Sequence, residues 1–181
     1  KSSGTVTVAG ASKAVDELLI GANNLSAFVG VGGAWSAGTS AYTGTGLTLS
    51  GLKLGLAILK ETGGSARQWT GAKASATSAS FIGVSGLTVV ASDVSVAINR
   101  VASDNSVVDF GAQNLTVQTG TAGAPSTMVL DMAGSLGALT QVSAAVEIDA
   151  FGLLMARGTV TLQKSSGTVT VAGASKAVDE L

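Results

Sequence analysis

The residues best equipped for chemistry are few, and most of them sit in one stretch. ASDNSVVDFGAQN (Ala102 to Asn114) sets Asp104, Asn105, Asp109 and Asn114 around a turn. These are hard oxygen donors of the kind that holds calcium. The same SDNS is also an ordinary turn, in which Asp and Asn bond their own backbone, and the calcium-binding nonapeptide with its Gly-Gly-x-Gly-x-Asp core is absent. Further on, VEIDA places Glu147 and Asp149 on one side of a strand, about 7 Å apart, a spacing that suits paired glycosidase carboxylates. Alternate acids on a strand are more commonly its solvated side. The chain has no histidine and no cysteine, so the usual general bases and thiol nucleophiles are missing. The glycine-rich GVGGAWSAGTSAYTGTG (residues 30–46) lacks a phosphate-binding lysine. It reads as a long surface excursion that carries Trp35 and Tyr42, aromatics able to meet a glycan or to cover apolar surface. The sequence reads as non-enzymatic, with Asp104, Asn105 and Asp109 as a calcium candidate and otherwise no cofactor.

Composition narrows the partners. Ten basic and eleven acidic residues leave a net charge of -1, without the clustered Lys and Arg that nucleic acid or an anionic membrane requires. Hydrophobic residues make up 46% and mean hydropathy is +0.49, but Ala, Val and Leu carry it, diluted by 25 glycines. The longest apolar-looking runs, such as GLKLGLAILK, fall far short of the ~20 residues of a membrane helix. Alternation would suit a membrane β-barrel, yet at 4% aromatic the chain lacks the residues for aromatic girdles. Low charge and abundant Thr, Ser, Gly, Ala and Val fit an extracellular β-rich surface protein.

The elements that position these residues follow a period of two. Val6 and Val8 alternate with Thr5 and Thr7; Val142, Ala144, Val146 and Ile148 alternate with Ser143, Ala145, Glu147 and Asp149. Such alternation puts apolar side chains on one face of a strand. One short helical turn is expected within Ala11 to Asn24, after a Ser12 cap. GLTLSGLKLGLAILK (Gly46 to Lys60) aligns with GLTVVASDVSVAINR (Gly86 to Arg100), and SAFVGVGG (Ser26 to Gly33) echoes ASFIGVSG (Ala79 to Gly86). In the first pair the apolar phase shifts by one residue midway. A slip of one residue flips a strand's faces unless a bulge absorbs it, so bulges are expected near Ser50–Gly51 and Val90–Ala91. Leu52 to Ile58 and Val94 to Ile98 are the expected core strands.

The largest signal is a duplication. KSSGTVTVAGASKAVDEL occupies residues 1–18 and again 164–181, identical at every position. An offset of 163 is domain-sized, longer than solenoid repeats of 20 to 50. It divides the chain into one unit, 1–163, and the start of the next, 164–181. Each unit then meets its neighbour in the same head-to-tail way, a contact that does not close and builds a fibre. Thr5, Val6, Thr7 and Val8, with their copies Thr168, Val169, Thr170 and Val171, are the junction strand. Asp16–Glu17, copied as Asp179–Glu180, is a junction salt-bridge partner or an exposed pair.

The succession LLIGANNLSAFVGVGGAW, GLTLSGLKLGLAILK, AKASATSASFIGVSGLTVVASDVSVAINR and VVDFG resembles the domain-sized repeats of giant bacterial extracellular surface proteins of adhesin type. The resemblance implies an extracellular structural role and carries over no functional residue. The expected architecture is all-β, an elongated sandwich or β-solenoid-like unit of roughly ten strands stacking head to tail. The expected function is a building block of a filament or adhesin stalk whose partners are neighbouring copies of itself and a glycan or cell surface. Two other readings fit the same residues: a calcium- or glycan-binding module, and a pilus-like polymer of separate chains that exchange a terminal strand.

Overall fold

The computed structural model describes residues 2–36, 41–63, 67–172 and 174–180. Ten strands follow in chain order: β1 (Ser2–Val8), β2 (Ala11–Ser36), β3 (Ala41–Glu61), β4 (Gln68–Ile82), β5 (Leu87–Arg100), β6 (Leu115–Gln118), β7 (Thr127–Leu130), β8 (Leu139–Ala150), β9 (Leu154–Val171) and β10 (Ala174–Glu180). Eight of them form one sheet in the order β1-β2-β3-β4-β5-β8-β9-β10, antiparallel throughout. β6 and β7 pair separately as a two-stranded hairpin. The all-β expectation holds. The arrangement is a meander in which each long strand pairs with its sequence neighbour; among the described residues no solenoid is seen, and one long sheet with a two-stranded hairpin stands where a sandwich or a solenoid was expected.

The helical turn expected within Ala11–Asn24 is strand instead. Ala9 and Gly10 both have positive φ, 48° and 76°, the pattern of a two-residue hairpin turn whose twist matches the flanking strands. That turn pairs Val8 with Ala11 and Ser2 with Glu17, while Val15 to Ala22 pair with β3 on the other side. Two ladders outweigh a modest helix propensity. The expected surface excursion at residues 30–46 is likewise the far end of the β2–β3 hairpin, where Trp35 pairs with Tyr42; residues 37–40 lie outside the described residues.

Bulges let the sheet keep one apolar face. β2 carries an extra residue between Ala22 and Leu25, with Asn24 at φ 54°, and β3 carries one between Leu49 and Leu52, with Gly51 at φ 60°. β5 carries one between Ser92 and Ser95, with Asp93 at φ 52°. Asn, Asp and Gly are the residues that tolerate this left-handed backbone. The bulge expected near Ser50–Gly51 is therefore in place, and the one expected near Val90–Ala91 falls two residues later, where an Asp accepts the conformation more readily than an Ala. Directly paired residues share a face, so Leu54, Ala74, Val96, Val142 and Leu162 form one apolar row across the sheet.

The closed core lies on the opposite face. Segment 101–138, between β5 and β8, folds over the β1–β2 end of the sheet and buries Ala57, Leu59, Trp69, Ala97 and Leu139 against Val108, Phe110, Val117, Leu130 and Met132. Small residues let it approach: a Cβ on Gly71 would stand 2.6 Å from the Phe110 ring, and one on Gly55 would stand 2.8 Å from Met128. The strands expected to form the core, Leu52 to Ile58 and Val94 to Ile98, turn their even-numbered side chains to the other face, where they are half-buried. Their odd-numbered neighbours Ala57, Leu59 and Ala97 do the packing, because segment 101–138 covers that side.

If this cover supplies the core, Phe110→Ala costs about 3–5 kcal/mol and Gly71→Ala costs about 1–3 kcal/mol by overpacking. Leu153→Ala, at the exposed β8–β9 turn, stays within about 0.5 kcal/mol. Urea unfolding followed by far-ultraviolet circular dichroism measures all three; a Phe110→Ala protein as stable as the parent would place the core elsewhere.

Candidate functional site

The duplicated segment forms the same structure twice. In the first copy Ser2–Val8 pairs with Ala11–Glu17, and in the second Ser165–Val171 pairs with Ala174–Glu180 in the same register, Ser165 opposite Glu180 as Ser2 is opposite Glu17. The turn residue Ala172, at φ 49°, matches Ala9 at 48°. The two hairpins lie at opposite edges of the eight-stranded sheet. The first opens the sheet as β1 and the start of β2. In the second, the copy of β1 is continuous with the preceding strand, so that Leu154 to Val171 runs as one strand.

The residues expected at the junction divide by face. Val6 and Val8 are each 2% exposed and belong to the core, a burial that contributes roughly 1.5–3 kcal/mol per side chain. The outer edge of β1 is held by the covering segment. The Asp109 N–H donates to the Thr7 carbonyl at 2.8 Å, Val8 bridges to Val108, and the Gln113 side-chain amide donates to the Thr5 carbonyl at 2.9 Å. The Thr7 hydroxyl donates back to Gln113 Oε1 at 3.4 Å. Glu17 is 8% exposed and accepts from the Ser2 hydroxyl at 3.2 Å, so in the first copy this acid serves within the hairpin. Thr168, Val169, Thr170 and Val171 occupy the corresponding backbone positions of the second hairpin.

The calcium candidates are already engaged by protein donors. Asp104 Oδ2 accepts from Arg67 Nη1 at 2.8 Å, and Oδ1 accepts from the Ser106 N–H at 3.1 Å and from the Ser106 hydroxyl. Hydrogen bonds from Ser106, followed by the Arg67 guanidinium, hold the Asp104 carboxyl down at about 2. Asp109 Oδ1 accepts from the Gly134 N–H at 2.9 Å and the Ala112 N–H at 3.1 Å. The Gly134 bond, opposed by partial burial, keeps its carboxyl below the usual range. Asn105 takes a positive φ of 63° in the turn between them. Among the described residues no three acidic side chains gather as a metal cluster. Glu147 and Asp149 share a strand side as expected, but Glu147 pairs across to Arg157 and Asp149 accepts from the Gly152 N–H at 2.9 Å, closing the β8–β9 turn. Trp35 and Tyr42 pack on each other with ring centroids 4.7 Å apart, and Phe28 stacks on Tyr42 at 5.7 Å.

Sequence reasoning passed over the residues that fasten the cover. Arg67 bonds both oxygens of Glu61 at 2.8 Å, reaches Asp104, and lies over the Trp69 ring at 5.0 Å. The two carboxylates raise its already high pKa further. The Trp69 indole N–H donates to the Ser106 carbonyl and hydroxyl, Asn99 Nδ2 donates to the Val108 carbonyl at 2.8 Å, and Lys73 meets Asp131 at 2.8 Å. In so sparsely charged a chain, Arg67 beside a tryptophan was the available signal.

No protein family, curated protein or solved structure matches the chain. On this geometry the duplicated hairpin is the site with a repeated, specific arrangement.

The depressed carboxyls of Asp104 and Asp109 set an acid limit. A carboxyl whose folded pKa lies below the unfolded ~3.9 stabilises fully above that value and loses its contribution as pH falls towards its folded pKa. The melting temperature should therefore fall steeply from about pH 4 to about pH 2, with a shallower fall in Asp104→Asn, which starts lower. Thermal melts across this range check it; identical pH slopes in parent and variant would mean that Asp104 does not fasten the cover.

Proposed function

We propose that the protein is a non-enzymatic structural unit of a tandem array, the building block of an extracellular filament or adhesin stalk made of 163-residue copies. The single observation that supports this most is the second hairpin. A sequence that begins one edge of the sheet also ends the other edge, in the same register and as a direct continuation of the last long strand. A unit of this kind needs no separate linker, since the strand that finishes one copy begins the next. The array is head to tail, so it grows without closing, and each added copy covers the open strand edge of the one before, which would otherwise invite aggregation.

The side chains support the same reading. The best-placed carboxylates serve turns and the covering segment, and the aromatics of the β2–β3 hairpin serve one another. The low net charge of -1 lets copies lie close with little mutual repulsion.

Material from the native source, boiled in strong detergent, tests this reading. A polypeptide many times the 17.5 kDa of this chain is the expected result. A single band near one unit would overturn the covalent array and favour separate subunits.

A further inference from the structure

Two strand edges are left open in complementary places. β10 covers β9 only over Ser165–Val171, so residues 154–163 of β9 have no strand on their outer side among the described residues. β1 covers β2 over Ala11–Glu17, and among the described residues no strand lies on that side of β2 from Leu18 onward. The apolar residues on the two edges are correspondingly exposed: Leu162 58%, Val160 57%, Leu18 45% and Ile20 44%.

Because the hairpin is the same at both ends, it fixes how these edges meet. The second hairpin already sets the copy of Glu17 opposite Ser165. In an antiparallel ladder each step back along β9 is a step forward along the incoming β2. The next copy's Leu18 therefore falls opposite Lys164, Leu19 opposite Gln163, Ile20 opposite Leu162, Gly21 opposite Thr161 and Ala22 opposite Val160.

We infer that successive copies join edge to edge, with the outer edge of β9 (residues 154–164) receiving β2 of the next copy in this register, Leu162 opposite Ile20. The inference rests on the tandem reading above and adds to it the contact surface, its partner strand and its alignment. The apolar rows then pass through the junction. Ala22, Leu54, Ala74, Val96, Val142 and Leu162 are paired in sequence across one copy, and the row goes on to Ile20 and Leu56 of the next. Leu162 and Ile20 gain each other, and Val160 gains Ala22, as apolar cross-strand partners.

The same register fixes the growth of the array. Each copy contributes six long strands, β2, β3, β4, β5, β8 and β9, the last including the next β1. Six is even, so β2 of every copy runs the same way, and at ~4.8 Å per strand a copy advances the sheet by about 29 Å. A row that leaves one copy at Ala22 enters the next at Ile20, a shift of two residues or about 7 Å. The growth direction therefore lies roughly 13° from the perpendicular to the strands, well under the 35–45° tilt of closed barrels. The register favours an open, extending sheet.

Disulfide trapping in a chain of two full copies tests the register, and the absence of native cysteine leaves the reporters alone. With Leu162→Cys in the first copy, the second copy receives Leu18→Cys, Ile20→Cys or Ala22→Cys in turn. A fourth protein carries Val142→Cys with Leu162→Cys, neighbours within one copy, as the measure of trapping in a folded sheet. The expected result is efficient cross-linking with Ile20→Cys, at the level of the within-copy pair, and at least tenfold less with the two offset partners. Preferential trapping at Leu18→Cys or Ala22→Cys would overturn the register. No trapping between copies while the Val142–Leu162 pair locks would overturn edge-to-edge joining. Neither outcome touches the tandem reading, which stands or falls on the denatured mass of the native polypeptide.

Discussion

An antiparallel ladder turns a strand over when it slips by one residue, and the whole sheet is organised around that constraint. Four extra residues, marked by left-handed backbone at Asn24, Gly32, Gly51 and Asp93, absorb the slips in phase between β2 and β3 and between β5 and β8. Without them, Leu47 and Leu49 would lie on the face opposite Leu54 and Leu56. With them, apolar residues stay on one face over strands of up to 26 residues. The duplicated hairpin carries the constraint beyond the unit, because its register at the far edge leaves one alignment for whatever strand follows.

The covering segment sets β1 apart from an ordinary sheet edge. Sheet edges are normally promiscuous, but β1 is clasped by Asp109, Val108 and Gln113 on its outer side. The clasp holds Thr5, Thr7 and Val8, and among the described residues no strand covers the outer side of β2 from Leu18 onward. The segment is fastened to the sheet by a small set of polar contacts centred on Arg67 and Trp69, with Phe110 seated over Gly71. One element thus closes the core and holds the outer edge of β1.

Much of this was legible in the sequence. The period of two located the long strands, the phase shift in Gly46–Lys60 located a bulge at Ser50–Gly51, and the duplication marked two hairpins of one register. Other features were not legible, for physical reasons. Ala11–Asn24 reads as a helix start locally, and two neighbouring ladders overrule it. The alternation in Leu52–Ile58 and Val94–Ile98 marks an apolar face but does not say which side is covered; the cover comes from residues 101–138, whose short strands β6 and β7 leave a weak pattern. The hydrogen-bond partners of Asp104 and Asp109, Arg67 and the Gly134 N–H, are distant in sequence and leave no local mark.

Copies joined as proposed form one sheet that runs without interruption through the array, its strands nearly crosswise to the direction of growth. Fibre diffraction from aligned native filaments addresses it directly. A continuous sheet gives a reflection near 4.8 Å close to the fibre axis together with an axial repeat of about 29 Å, six strand spacings. An axial repeat unrelated to the strand spacing, with no 4.8 Å reflection along the axis, would show separate domains strung in a row and would contradict it.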